Sequence, residues 1–291
     1  MFRKIGIFLQ MIKFEHTLFA LPFAFMGSLL GAVAMKDSFP TWAQIGWVLM
    51  AMFGARSAAM GLNRLIDRVS DGKNPRTAVR AIPAGLLRIS EVLVFIVVSF
   101  ALLFWAASEL NPLSLKLLPI AVVMLVLYSY TKRFTWLCHV VLGFTIALAP
   151  LGGWVAVTGK VDWSAMVLFI TIAFWVAGFD VIYACQDVEF DKKEGLYSIP
   201  SRFGVSRSLI IAKSFHIVTA IGFVAMLLLS HLGWWYTGGI VIALIILFYE
   251  HHIVTPKDLS RLQTAFFTMN GALSIVVFCF TLIDLAVHVY R

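Results

Sequence analysis

The sequence predicts an all-α integral membrane protein, a single domain of residues 1–291 with nine transmembrane helices. Three observations predict it. Sixty-one per cent of the 291 residues are hydrophobic and mean hydropathy is +0.92, outside the range of soluble domains. The apolar residues gather into nine runs, each near the ~20 residues that a bilayer needs. The runs are continuous rather than alternating, which selects helices over a barrel.

In order, the expected spans are 15–35, 42–65, 90–109, 113–131, 136–157, 163–185, 208–230, 233–250 and 264–288. The first is expected to be retained. Arg3 and Lys4 precede it, but Lys13, Glu15 and His16 interrupt the apolar stretch and no small-residue cleavage site follows. The second ends at Asn63, Asp67 and Asp71, the fourth at Lys132, and the sixth at Asp187 and Asp191. Between the spans the loops alternate in charge. Counting Arg64 and Lys213 at span ends, eighteen of the 23 Lys and Arg residues lie on the side of the N-terminus and the long loops. Lys36, Lys116, Lys160 and Arg291 lie on the other, and Arg56 lies inside a span. This asymmetry places the long loops in the cytoplasm, and the expected location is the inner membrane, crossed many times. Trp42, Trp47, Trp154, Trp163, Trp234 and Trp235 fall near span ends on the opposite side, where interface anchors belong.

The net charge of +8 is spread over short loops, so it points to membrane topology and not to nucleic acid. Cys138, Cys185 and Cys279 are scattered through apolar segments without a CxxC pair and read as packing residues. No required protein partner is evident.

The chemistry lies in the acids. The chain has nine aspartates, and five of them are Asp67, Asp71, Asp180, Asp187 and Asp191. Asn63, Asp67 and Asp71 read NxxxDxxxD; Asp187 and Asp191 read DxxxD, with Asp180 seven residues upstream. A spacing of four stacks each series on one helical face. Carboxylates stacked that way repel one another and invite a divalent cation. One such pair is an ordinary solvated helix end. Two, on the same side of a chain this poor in acid, suggest a metal–diphosphate clamp holding Mg²⁺. Apolar helix, DxxxD, basic loop and apolar helix recur about 120 residues apart, a weak internal duplication.

Cations stand beside both series. Arg56 lies two helical turns before Asn63, inside the bilayer, where a charge costs ~2.5–3.5 kcal/mol and so needs a polar cavity or a partner. Lys132 lies four residues after Tyr128. Arg76 and Arg80 follow the first series, and Lys192, Lys193 and Arg202 the second. Singly each is a solvated loop charge. As a set beside a metal site they read as phosphate clamps. Asp180, inside the sixth span, is a functional candidate by position alone. It is expected to pair with Arg56 or to face the acceptor. A role for His16 is a weaker expectation.

The stretches NRLIDRVSDGKNPRT, YSYTKR and GFDVIYACQDVEFDKKEGLYSIPSRFG resemble the intramembrane aromatic prenyltransferases of the UbiA superfamily. The likeness covers essentially the whole chain and rests on NxxxDxxxD after the second helix, YxxxK at the fourth and DxxxD after the sixth. It implies nine helices around a central cavity. It implies Mg²⁺-dependent transfer of a polyprenyl group from its diphosphate to a hydroxylated aromatic acid in quinone biosynthesis. Cap loops at about 66–89 and 186–207 would cover the site, and the lipid tail would enter sideways from the bilayer. The metal would be held by Asn63, Asp67, Asp71, Asp187 and Asp191. Lys132, Tyr128, Arg76, Arg80, Lys192 and Arg202 would bind the diphosphate, with Asp180, Lys132 and Arg56 at the reacting groups. Within the superfamily the resemblance is to the bacterial 4-hydroxybenzoate polyprenyltransferase group. However, Phe14–Pro22 (FEHTLFALP) replaces the DKPIG-type stretch of the ubiquinone enzymes and resembles the futalosine-route menaquinone subgroup, which acts on 1,4-dihydroxy-6-naphthoate. A secondary transporter would not need two DxxxD series. A haem O or chlorophyll synthase-like branch is the nearer rival.

Overall fold

The computed structural model describes residues 2–13 and 17–290; Glu15 and His16 lie outside them. Apart from one isolated bridge between Thr255 and Asp258, the regular elements among the described residues are helices. They are α1 (Phe2–Met11), α2 (Thr17–Lys36), α3 (Trp42–Lys73), α4 (Ile89–Leu110), α5 (Pro112–Thr131), α6 (Cys138–Thr158) and α7 (Trp163–Ala184). A 3₁₀ turn (Cys185–Asp187) leads into α8 (Val188–Lys193), followed by α9 (Ile199–Leu229) and α10 (Trp234–Ile253). A π-helical turn (Thr264–Met269) opens α11 (Asn270–Val289). Among the described residues, eight helical stretches are long and apolar enough to cross a membrane; a ninth apolar helical stretch, Leu21–Lys36, is shorter. The nine expected spans coincide with α2–α7 and α9–α11. The chain is a multi-pass membrane protein.

Local chemistry sets the helix ends. Thr41 accepts from the Gln44 amide while the Gln44 side chain accepts from the Thr41 amide, a capping box that starts α3. The Asp162 side chain accepts from the Ala165 amide at the head of α7. Asn111 caps α5 ahead of Pro112, and its Nδ2 donates to the Val155 and Ala156 carbonyls, tying the α4–α5 turn to α6. In a membrane, small residues let helix backbones close up. A Cβ on Gly153 of α6 would lie 2.2 Å from the Ala24 carbonyl of α2, and one on Gly143 would lie 2.1 Å from the Ala173 carbonyl of α7. These contacts centre the core on α2, α6 and α7, with Phe23, Met26, Trp154, Leu168, Ile172 and Trp175 buried within it.

Three sequence expectations change. Trp42, Trp163 and Trp234 stand exposed at helix starts, but Trp154 is wholly buried and is not an interface anchor. It sits one turn inside α6, where Gly31 of α2 leaves room for its ring. The 66–89 segment is not all loop, because α3 runs two turns past the apolar run, to Lys73. The second cap segment is structured too: α8 occupies its middle, and Gly204 (φ 78°, ψ 163°) breaks α9 near its start. Helix α1 precedes the first expected span; its last residue, Met11, and the following Ile12 are buried.

Candidate active site

The extension of α3 carries Asn63, Asp67 and Asp71 on one face, and the 3₁₀ turn with α8 carries Asp187 and Asp191. The chain between α3 and α4 joins the two series. Arg76 grips Asp187 with both ends of its guanidinium, Nη2–Oδ2 at 2.6 Å and Nε–Oδ1 at 3.1 Å, and donates from Nη1 to the Tyr183 hydroxyl at 3.2 Å. Asn74 reaches Asp187 at 3.4 Å, and Lys73 pairs with Glu194 at 2.6 Å. Partial burial opposes the charge on Arg76; its hydrogen bonds to Asp187 and that residue's charge outweigh burial and hold the guanidinium above its ordinary value.

Asp67 is 2% exposed and receives Lys132 Nζ at 2.8 Å, Arg133 Nη2 at 2.8 Å and Asn63 Nδ2 at 3.1 Å. Helix α5 delivers both cations, since it ends at Thr131 and aims the next two residues back at α3. The Lys132 carbonyl accepts from the Tyr197 amide, so the second cap segment is fastened beside the same lysine. Arg80 pairs with Asp71 Oδ1 at 2.6 Å, and Ser198 donates to Asp191 at 2.9 Å.

The expected metal ligands therefore meet at one end of the bundle, each on a cation or a hydroxyl. Among the described residues no three Asp, Glu, His or Cys side chains form a ready metal cluster. The donor set nonetheless suits Mg²⁺, which takes one or two carboxylates and completes its shell with water and phosphate oxygens. Asp71 Oδ2 is buried without a hydrogen-bond partner, an orphaned acceptor of the kind that a hard cation satisfies.

Below this polar mouth lies a cavity of about 450 Å³, walled by α3–α7 and the π turn. Asn63, Tyr128, Asp180 and Phe266 line its acidic end, and Leu110, Ser114 and Val155 line the far end. Arg56 and Asp180 both face it, but they do not pair with each other. Asp180 Oδ2 lies 2.7 Å from His139 Nδ1, and Arg56 Nη2 donates to the Lys13 carbonyl at 3.4 Å. The expected Arg56–Asp180 pair is thus replaced by a partner on α6, the immediate neighbour of α7. Among the described residues Arg56 has no carboxylate partner, and its Nε is buried unpaired. The Tyr128 hydroxyl donates to the Ala59 carbonyl at 2.9 Å.

Two expected phosphate ligands stand apart. Arg202 is exposed and lies over the Trp136 and Phe203 rings, forming no ion pair among the described residues; Gly204 breaks the helix just beyond it. Lys192 is exposed and unpaired among the described residues. Sequence reasoning missed Arg133, Asn74, Tyr183, Ser198 and His139. All but His139 lie in polar motif stretches that could have flagged them.

Fold and site define a polytopic helical enzyme that gathers carboxylates and cations at the mouth of an apolar intramembrane chamber. The model of the UbiA prenyltransferase family matches residues 20–272, and the chain belongs to that family. A 4-hydroxybenzoate octaprenyltransferase of Aliivibrio fischeri (strain MJ11) is 30% identical over 236 residues, covering 80% of this chain and 81% of that one. The apo structure of a UbiA homolog from Aeropyrum pernix K1 superposes with a TM-score of 0.84 at 29% identity, covering 93% of this chain and 98% of that one. A UbiA homolog from Archaeoglobus fulgidus, solved bound to DMAPP and Mg²⁺, shares the fold at a TM-score of 0.74 and 18% identity, covering 96% of this chain and 99% of that one. The protein is a prenyltransferase.

Proposed function

We propose that the protein transfers a polyprenyl group from polyprenyl diphosphate to the ring of a hydroxylated aromatic acid, with Mg²⁺ as cofactor. One observation carries this reading: two acidic series and their cations converge at the mouth of an apolar cavity whose wall holds Asp180 and Arg56, the latter without a carboxylate partner among the described residues. The names of the curated relatives support an aromatic acceptor.

The diphosphate binds among Lys132, Arg133, Arg76 and Arg80, which exchange carboxylate partners for phosphate oxygens. Asn63, Asp67, Asp71, Asp187 and Asp191 would hold Mg²⁺, which supplies neutralisation of the charge on the departing diphosphate. The prenyl chain lies in the apolar cavity, reached from the bilayer. The walls exclude water and so protect an allylic cation from hydrolysis. Arg56 offers its guanidinium to the acceptor carboxylate. Asp180 orients the phenol and takes the ring proton when the new carbon–carbon bond forms. Lys192 and Arg202, both exposed and without an ion pair among the described residues, add positive charge beside this set and approach the diphosphate only once it is bound.

Both 4-hydroxybenzoate and 1,4-dihydroxy-6-naphthoate present the carboxylate and hydroxyl that Arg56 and Asp180 would read. The site faces the cytoplasm and the protein lies in the cytoplasmic membrane, a reading supported by the Lys and Arg asymmetry. The test is product mass after incubating membranes with geranyl diphosphate, Mg²⁺ and a panel of aromatic acids. Prenylated 4-hydroxybenzoate or dihydroxynaphthoate is expected; no product with any aromatic acid overturns the reading.

A further inference from the structure

Asp180 is a carboxylate on a membrane helix, and its side chain is about a quarter open, at 23%, where it lines the cavity. Directly behind it, from α6, stands His139, only 4% exposed. The 2.7 Å contact joins His139 Nδ1 to Asp180 Oδ2. His139 Nε2 is buried without a partner. The tautomer with hydrogen on Nδ1 explains both facts: Nδ1–H donates to the carboxylate, and Nε2 buries only a lone pair rather than an unpaired N–H. His139 does not line the cavity.

We infer that His139 is a positioning residue for the acceptor step: its Nδ1–H fixes Asp180 Oδ2 so that the other oxygen faces the acceptor hydroxyl. The inference rests on the proposed aromatic acceptor and deepens it. Two physical reasons favour the arrangement. A carboxylate in a bilayer needs a donor to remain ionised, and His139 supplies one without taking up cavity space. A bond to one oxygen also removes side-chain rotation, which pre-orients the base. In the step served, the allylic carbon–oxygen bond breaks with its electron pair leaving on diphosphate. The ring carbon bonds to the allylic carbon, and the ring hydrogen leaves as a proton to Asp180. His139 keeps its proton throughout.

The experiment uses the full chain in detergent or nanodiscs, with geranyl diphosphate and Mg²⁺. Two readouts are taken: diphosphate release without acceptor, and prenylated product with 4-hydroxybenzoate or 1,4-dihydroxy-6-naphthoate. A hydrogen bond to a charged group corresponds to roughly tenfold to a hundredfold in rate. His139→Leu should therefore cut product formation by about that factor, with diphosphate release and the KM for geranyl diphosphate unchanged. His139→Asn, whose Nδ2 can replace the Nδ1–H donor, should restore most of the transfer. Full transfer activity in His139→Leu overturns the inference. So does an equal fall in release and transfer that Asn does not relieve, because that is the signature of a purely structural histidine. A wild-type protein that releases diphosphate but prenylates no aromatic acid overturns the functional reading, and this inference with it.

Discussion

Replacing Asp67 tests the centre of the site most directly. Its carboxylate holds Lys132 and Arg133, each at 2.8 Å, and Asn63 at 3.1 Å. At an effective dielectric constant of about 20, each ion pair at that distance represents ~6 kcal/mol of gross attraction. Most of that is offset by desolvation. The Lys132 and Arg133 side chains remain about a third accessible, at 32% and 34%, so without Asp67 both turn to water and the net stability loss is discounted to about 1–3 kcal/mol. Removal of one preorganised group that stabilises transition-state charge costs a further ~10²–10³ in rate. Asp67→Asn should therefore fold, insert and purify, with diphosphate release down by at least about a hundredfold. Asp67→Ala, which loses the acceptor oxygens too, should be both less stable and equally inactive. The assay pairs thermal unfolding in detergent with product formation from geranyl diphosphate. Activity within a few-fold of wild type in both variants would refute the clamp. So would loss of activity that merely tracks loss of folded protein.

Asp191→Ala should also abolish turnover, with little loss of folded protein, because among the described residues its carboxylate is held by the Ser198 hydroxyl alone; near-normal rates would remove it from the metal set. Activity should depend on added Mg²⁺ or Mn²⁺ and disappear with EDTA, since hard oxygen donors select hard cations, and turnover in excess chelator would contradict this. Cysteines at exposed Gly72 and Lys193 should resist impermeant thiol reagents applied outside intact cells; ready labelling would invert the orientation.

Much of the architecture was legible because its causes are local. Hydropathy over twenty residues places a helix in a bilayer whatever its neighbours do, so the nine spans and their order follow from composition along the chain. A spacing of four is likewise a property of one helix, so Asn63, Asp67 and Asp71 could be assigned to one face without a partner in view. What the sequence could not supply was who meets whom. Arg76 and Asp187 are 111 residues apart and Lys132 and Asp67 are 65 apart, and in each case helix packing decides the contact. Arg202 shows the reverse: its spacing suggested a phosphate ligand, but the broken start of α9 turns it onto Trp136 and Phe203. Trp154 looked like an interface anchor, but its ring packs against Gly31 of α2 and is wholly buried. His139 had no motif to mark it. It gains a role only because α6 packs on α7 with Asp180 at the contact, and a single polar residue in an apolar helix acquires chemistry from its neighbour rather than from its own segment.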